Sequence, residues 1–222
     1  MKIITALLLT LILGAFGSIA FSGVIETKHN FSSPTYSPNA FFWGTRQVCV
    51  FCHAVHNADQ TYAQLWNHET DGAQSYQMYD SPTIDMDMSL SPHNGSLICL
   101  SCHDGTIAIN SVGNLPGPES AGNYGTPGGA ALDGQGKLTS TSDSFIGIDL
   151  SDDHPVGLTY DSNRDNDFVP KTGNDQLYPD KLLYQGTYVE CTSCHNPHDN
   201  TYSNFLIESN ANSSLCTRCH QE

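Results

Sequence analysis

Residues 191–198 have the sequence Cys191-Thr192-Ser193-Cys194-His195-Asn196-Pro197-His198, and the rest of the chain is organised around copies of this pattern. Two cysteines are separated by two residues, a histidine follows the second cysteine directly, and another histidine comes three positions later. The first five residues recur as the motif C-x-x-C-H at 49–53, 99–103 and 216–220. Together the four copies use all eight cysteines of the chain.

The C-x-x-C-H motif is the attachment signature of a c-type haem. Both thiols form thioethers with the porphyrin edge, and the adjacent histidine ligates the iron. The sequence therefore predicts four covalently bound haem c groups. Their attachment residues are Cys49, Cys52, Cys99, Cys102, Cys191, Cys194, Cys216 and Cys219. Their proximal iron ligands are His53, His103, His195 and His220.

Two other uses of paired cysteines compete with this interpretation. Disulfides are common in exported proteins, but four bridges inside C-x-x-C pairs would not each need a following histidine. The pairs Cys191/Cys194 and Cys216/Cys219 also have a separation near that of a zinc ribbon. Zinc, however, explains neither the histidine after every pair nor an export segment at the N-terminus.

Residues 1–20 predict a signal peptide. Lys2 provides a basic start, a Leu/Ile-rich apolar run follows, and the small residues Ser18 and Ala20 precede Phe21. The alternative is a retained membrane anchor, because the run approaches the length that spans a bilayer. We expect a secreted protein with no membrane span after cleavage, located outside the cell, at the cell surface or in the periplasm.

The composition provides little material for an ordinary core. Hydrophobic residues make up 38% of the chain, which also contains 19 Gly and 11 Pro, and no long window shows helical or strand periodicity. We expect a mostly irregular fold with short helices and few short strands: a multihaem cytochrome c fold organised around four stacked covalent haems. The net charge of −15 excludes nucleic-acid binding through clustered positive charge.

The motifs suggest two halves of similar layout, each with an upstream histidine, a C-x-x-C-H-x-x-H motif and a C-x-x-C-H motif. We predict an N-terminal dihaem half at 21–110 and a C-terminal dihaem half at 150–222. A segment rich in Gly, Pro and Ser, at 111–149, is predicted to connect them.

Six histidines lie outside the C-x-x-C-H motifs. Four of them occupy matching positions in the two halves, which makes them the predicted distal ligands of four bis-histidine haems. These are His29, His56, His154 and His198. The other two, His68 and His93, have no counterpart and are predicted to be surface or hydrogen-bonded residues.

Helical geometry suggests how the distal histidines are distributed. A histidine three residues after a proximal ligand lies on nearly the same side of a turn, so it reaches a neighbouring haem and not its own. We therefore assign His56 to the second haem and His198 to the fourth, which leaves His29 and His154 for the first and third. A ligand from another subunit would give the same sequence, and His29 is the best candidate for that role.

Two weaker motifs contain other ligand types. Methionine is a common alternative axial ligand, but Met78, Met86 and Met88 have close-set Asp neighbours that predict an exposed loop. An alternation of acidic and amide residues resembles the start of a calcium loop, without its Gly and Glu, so a plain acidic loop competes with a calcium site. Its possible ligands are Asp161, Asn163, Asp165 and Asp167.

Several segments together resemble the doubled-CxxCH multihaem c-type cytochromes, and within them the tetrahaem outer-surface cytochromes of metal-reducing bacteria. They are residues 27–30 (T-K-H-N), 48–53 (V-C-V-F-C-H), 65–67 (L-W-N), 97–106 (L-I-C-L-S-C-H-D-G-T), 154–157 (H-P-V-G) and 191–198. The resemblance implies an electron carrier, not an enzyme, which polymerises into a conductive extracellular filament with a continuous haem chain. Its implied partners are further copies of itself, other redox cytochromes and extracellular electron acceptors.

Two other functions compete with the filament. A monomeric periplasmic or surface shuttle would use the same haem chemistry. A multihaem reductase would need an open iron site, and it is disfavoured because the chain has no C-x-x-C-K variant and a surplus of histidines.

Overall fold

The computed structural model describes residues 23–32, 47–70, 72–73, 75–114, 131–171 and 179–221. The predicted signal peptide and residues 115–130 of the predicted connection lie outside these ranges. Within them, no helix has both the length and the apolar composition that crossing a bilayer requires.

Regular structure is sparse in the described residues. The α-helices are α1 at Asn94–His103, α2 at Pro179–Leu182 and α3 at Cys191–Cys194. Strands β1 (Leu158–Thr159) and β2 (Tyr188–Val189) pair antiparallel, with Leu158 opposite Val189 and Thr159 opposite Tyr188. Short 3₁₀ helices occupy Val24–Glu26, Val48–Phe51, Ser203–Phe205, Ala211–Ser213 and Cys216–Arg218. The predicted irregular fold with short helices and few short strands is confirmed.

Each C-x-x-C-H motif closes a single helical turn. The second motif forms the last turn of α1, and in the other three the histidine N–H donates to the carbonyl of the first cysteine. Those N···O distances are 2.8 Å for His53, 3.0 Å for His195 and 3.0 Å for His220. Positions i, i+3 and i+4 of a turn share one face. The local fold therefore presents two thiols and one imidazole together.

Helix α1 ends directly behind the second motif at Gly105. Its φ of +72° lies in the left-handed region that favours glycine. A Cβ at this position would lie 2.5 Å from the ring of Phe145. Buried Asp104 holds the same turn, because its carboxylate accepts hydrogen bonds from the Thr106 backbone N–H (2.7 Å) and the Tyr76 hydroxyl (2.7 Å). The direction of the chain after His103 is thereby fixed.

The hydrophobic core is divided into two small clusters, and cysteines of the motifs pack against each. The buried residues of the first cluster are Val50, Phe51, Ile109 and Leu138. Cys52 and Cys102 lie against it. Because this cluster is small, the cysteines that pack against it lie close together, and the first two motifs are therefore side by side.

The second cluster surrounds the sheet and lies against Cys219. Its buried residues are Met86, Leu158, Tyr160, Leu183 and Val189. Met86 is only 5% exposed, so the predicted exposed loop is wrong at this position. The backbone explains the difference: Thr159 N–H donates to the Asp87 carbonyl at 2.9 Å, while the Asp87 carboxylate contacts Arg164 at 2.7 Å. The methionine therefore faces β1 and the acidic residue faces outward.

The two predicted halves are in direct contact. Helix α1 of the first half packs against α3 of the second. Gln77 also pairs with the end of the predicted connection, at an N···O distance of 2.9 Å to Ile148, and with the first residue of the opposite half, at 2.8 Å to Leu150. The boundaries at 110/111 and 149/150 stay predictions.

A candidate multihaem site

The first two motifs are adjacent through their cysteines. All eight cysteines lie within the described residues, and all are free thiols. Burial, followed by the neighbouring Cys102 thiol, raises the pKa of Cys52 to about 12. Burial likewise raises the pKa of Cys102 to about 12. These half-buried thiols therefore lie close to each other.

The remaining motifs continue the series in chain order. Cys99 and Cys191 are hydrogen-bonded to each other, which raises the pKa of Cys99 and lowers that of Cys191. Burial raises the pKa of Cys219 to about 11, and the nearby Cys194 thiol adds to this effect. The second motif thus lies beside the third, and the third lies near the fourth.

Three of the motif histidines are held in one tautomer by a backbone carbonyl. A carbonyl only accepts hydrogen bonds, so the bonded Nδ1 must donate, and Nε2 is left free to ligate a metal. The Nδ1···O distances are 3.0 Å for His53 to Gln64, 2.6 Å for His103 to Ser144 and 2.8 Å for His195 to Asn204. The sequence contains no signal for these contacts, because any residue can supply a carbonyl.

Three motif histidines each lie opposite a histidine from outside the motifs. The ring-centroid distances are 5.9 Å for His53–His198, 6.0 Å for His29–His103 and 6.4 Å for His154–His220. Two imidazoles that ligate one metal from opposite sides, each at about 2 Å, have centroids about 6 Å apart. Aromatic rings that merely pack together have centroid distances in the same range. Each of these three pairs, however, joins one predicted proximal ligand to one predicted distal ligand. The spacing fits a shared iron.

These pairs differ from the predicted assignment. His198 lies beside the first motif and not the fourth, His29 beside the second and not the first, and His154 beside the fourth and not the third. The physical reason is that the segment after the third motif crosses to the opposite half, which spacing along the chain does not reveal. His29 lies beside His103 of its own chain. Its role as the best candidate for a ligand from another subunit stays a prediction.

His29 is enclosed on several sides. Its ring stacks on Phe205 with centroids 4.4 Å apart and planes 9° from parallel. Burial, followed by the neighbouring His103 and His198, lowers its pKa to about 4. Burial is also the main reason why the pKa of His154 is lowered. In both cases the shift favours the neutral imidazole, which is the form that ligates a metal.

Two of the eight predicted ligands remain without a histidine opposite them. His56 and His195 are both exposed, and neither ring lies against another histidine, although all ten histidines are among the described residues. His68 is buried, with ring nitrogens 2.8 Å from the Glu69 carbonyl and 3.1 Å from that of Ala108. The prediction of a hydrogen-bonded role is confirmed for His68.

His93 also has a hydrogen-bonded role, in a network that was not predicted. Its Nδ1 lies 2.7 Å from Oε1 of Glu190, whose side chain is fully buried. Ser96 donates its hydroxyl to the other carboxylate oxygen. Glu190 is the N-cap of α3, so the one available signal was an acidic residue directly before a short helix.

Trp66 lies on the proximal side of the first motif and was not predicted to contribute to the site. Its ring meets that of His53 edge-on, with centroids 6.4 Å apart. Its Nε1 is buried without a hydrogen-bond partner among the described residues. A buried donor of this kind suits a site that accommodates an additional polar group.

The possible calcium ligands form a turn. Oδ1 of Asp161 accepts hydrogen bonds from the backbone and side-chain nitrogens of Asn163, at 3.0 and 2.9 Å, and the backbone bond is the main reason why its pKa is lowered. Asp165 accepts one from the backbone of Asp167 at 2.9 Å. Across the described ranges, three or more His, Cys, Asp or Glu side chains nowhere converge as a metal-binding group. The calcium site stays a prediction.

Comparison with known families agrees with the motif chemistry. Residues 186–222, which contain the third and fourth motifs, match the family described as Doubled CXXCH motif. The match supports a multihaem c-type cytochrome-like protein, with covalent haem c and an electron-carrier function. A c-type cytochrome motif also implies an exported protein. No curated protein was found that matches the chain.

Proposed function

We propose that the chain is a secreted tetrahaem c-type cytochrome that moves electrons through four adjacent bis-histidine haems and assembles into an extracellular filament. The observation that carries this proposal is the set of three histidine pairs with centroids 5.9–6.4 Å apart. When bound, haem iron would supply the one-electron chemistry. The chain would supply eight thioether cysteines, neutral imidazoles and a shielded environment.

Sharing of ligands between motifs supports close spacing of the four redox centres. His198 lies only three residues after His195, yet its ring faces His53 of the first motif. Because one short segment serves two motifs, their irons could not lie far apart. His29 extends the connection, since it pairs with His103 and also lies near His198.

The surroundings of the third motif support the proposed assembly of copies into a filament. His195 is oriented through its bond to the Asn204 carbonyl at 2.8 Å, but no histidine of the chain lies opposite it. His56 is the one predicted distal ligand outside the three pairs, and both it and the adjacent Val55 are exposed, with Val55 at 79%. In a filament, His56 of a neighbouring copy would complete the third haem site.

Spectroscopy of the purified, haem-loaded protein tests the haem assignment. We expect four haems per chain by pyridine haemochrome assay, with electron paramagnetic resonance dominated by low-spin bis-histidine signals. Fewer than four haems, or mainly high-spin iron, would contradict the proposal. Zinc in place of haem would contradict it as well.

Electron microscopy of material released from cells tests the assembly. We expect filaments from the wild-type chain and none from His56→Ala, with Gln60→Ala, at an exposed position of the same segment, as a control that keeps them. A haem-loaded protein that stays monomeric under all conditions would instead identify a soluble electron shuttle.

A further inference from the structure

Helices α1 and α3 are joined by a buried carboxylate. The Glu190 side chain is fully buried, and donors surround it: His93 through Nδ1 (2.7 Å) and its backbone N–H (3.3 Å), the Ser96 hydroxyl, and the Ser193 backbone N–H. All four groups donate hydrogen bonds. An arrangement of donors alone fits an ionised carboxylate, because a protonated one would place its own O–H against a donor.

This carboxylate lies at the junction between the second and third motifs. Glu190 directly precedes Cys191, and the Cys191 backbone N–H donates to the Ser96 hydroxyl at 2.9 Å. The thiols of Cys99 and Cys191 are hydrogen-bonded to each other. The attachment edges of two adjacent haems would therefore lie next to a buried negative charge. Adding an electron there costs free energy unless a positive charge accompanies it.

His93 can provide that charge. Its Nδ1 donates to Glu190 in either protonation state, so Nε2 is the nitrogen that gains or loses a proton. The side chain is 31% exposed, which leaves it in contact with water while its partner is sealed from it. The ring packs on Tyr188 with centroids 3.9 Å apart. Histidine is the side chain whose charge normally changes between about pH 5 and pH 8.

We propose that His93 is a redox-linked protonation site, which binds a proton from water when an electron enters the haem pair on the second and third motifs. This inference rests on the proposed function. With haem bound, one ferric iron there would accept one electron from a reduced neighbouring haem, and one proton from solvent would bind Nε2 of His93; no other bond would form or break. With the proton bound, His93 and Glu190 are neutral as a pair; without it, the pair carries one negative charge.

The sign of the pH dependence follows from these charges. Reduction is easier when His93 is protonated, so the reduction potential falls as pH rises through the titration of this histidine. The titratable groups on the elements packed around the pair are Tyr184 and Tyr188 beside the ring, and Cys99 and Cys191, which haem attachment would consume. The adjacent helix α2 carries Asp180 and Lys181. The site is ten residues from His103 and separate from the iron ligands.

The test is proton uptake on full reduction of the haem-loaded protein, measured with a pH indicator from pH 5.5 to pH 8.5. We expect uptake by the wild type near neutral pH and a loss of about one proton per chain in His93→Gln, which keeps a donor for Glu190 but does not titrate. His68→Gln, at the other histidine outside the predicted ligand set, should keep wild-type uptake. Glu190→Gln should raise the lowest potentials, because the buried charge is removed.

Two results would overturn the inference: reduction of the wild type without proton uptake near pH 7, or unchanged uptake in His93→Gln. The wild-type measurement stands even if a variant fails to fold. Haem content and the number of electrons accepted are recorded in the same cell. A protein that accepts four electrons without protons contradicts only this inference, whereas one without haem contradicts the proposed function.

Discussion

The segments 49–56 and 191–198 share the pattern C-x-x-C-H-x-x-H but place their last histidine differently. In the later segment, the His198 ring lies 5.9 Å from that of His53 and nearly parallel to it, at 15°. In the earlier segment, His56 is exposed and faces no other histidine of the chain. The same eight-residue pattern therefore places its last histidine beside a histidine of another motif in one place and beside no histidine in the other.

The residues between the two histidines explain part of the difference. Asn196 accepts a hydrogen bond from the His198 backbone N–H through its side chain at 3.1 Å, which forms a local turn. The corresponding residue in the earlier segment is Ala54, which has no side-chain acceptor. The backbone N–H groups at these two positions do not differ, since that of Asn196 donates to the Phe205 carbonyl at 2.8 Å and that of Ala54 to the Leu65 carbonyl at 2.9 Å.

The largest effect is expected from removing the two histidines in turn. In a haem-loaded monomer, His198→Ala should convert the first of the four haems from low-spin to high-spin, because His53 would lose the ring opposite it. His56→Ala should leave the spin states of the monomer unchanged and abolish assembly. Electron paramagnetic resonance and electron microscopy on both variants measure these outcomes.

Equal effects of His56→Ala and His198→Ala on the haem spin states would contradict the difference between the two segments. A His56→Ala monomer that loses a low-spin haem would mean that this histidine already ligates within its own chain. A His198→Ala protein with unchanged spectra would remove it from the ligand set.

An intermediate effect is expected from the segment that follows the third motif. Phe205→Ala removes the ring stacked on His29 at 4.4 Å and should cost about 1–2 kcal/mol in the free energy of unfolding. Denaturant titration followed by the haem absorbance measures this change. Tyr202→Ala, whose side chain is 40% exposed, is the matched control and should change stability by less than half as much. Equal losses in the two variants would show that the stack on His29 is not what holds this segment.

The smallest effect is expected from exchanging the residues that follow the two motifs. Asn196→Ala should destabilise the protein by about 1 kcal/mol through loss of the hydrogen bond to His198, and a minor high-spin signal should appear. Ala54→Asn should leave the monomer's stability within experimental error, because the histidine that such a turn would position, His56, faces no other histidine of the chain. Denaturant titration and spin-state measurements on both variants provide the comparison. A larger loss in Ala54→Asn than in Asn196→Ala would contradict the role given to this turn.

Much of the site could be predicted from sequence because covalent haem attachment demands a fixed local pattern. Cysteines at i and i+3 with histidine at i+4 need only one helical turn, and all four motifs form it. The spacing argument predicted that His198 serves a motif other than its own, namely the fourth. In the structure its ring lies beside His53 of the first motif, because the chain crosses between halves at positions where no residue type is required.

Other features left no signal in the sequence. Backbone carbonyls that orient His53 and His195 can come from any residue, and the acidic surroundings of Met86 concealed its place in the core. His93 had no counterpart in the other half, so a repeat-based argument could not give it a role. Its function depends on Glu190, which is distant in sequence and reaches it only because α1 packs on α3.

The most direct test of the whole account is the electron paramagnetic resonance spectrum of the haem-loaded protein, recorded on a dissociated monomer and on the assembled form. Three histidine pairs within the chain and one completed by a neighbouring copy predict three low-spin haems and one high-spin or water-ligated haem in the monomer. Assembly should convert the fourth to low-spin. Four low-spin haems in the monomer, or more than one high-spin haem, would contradict the account.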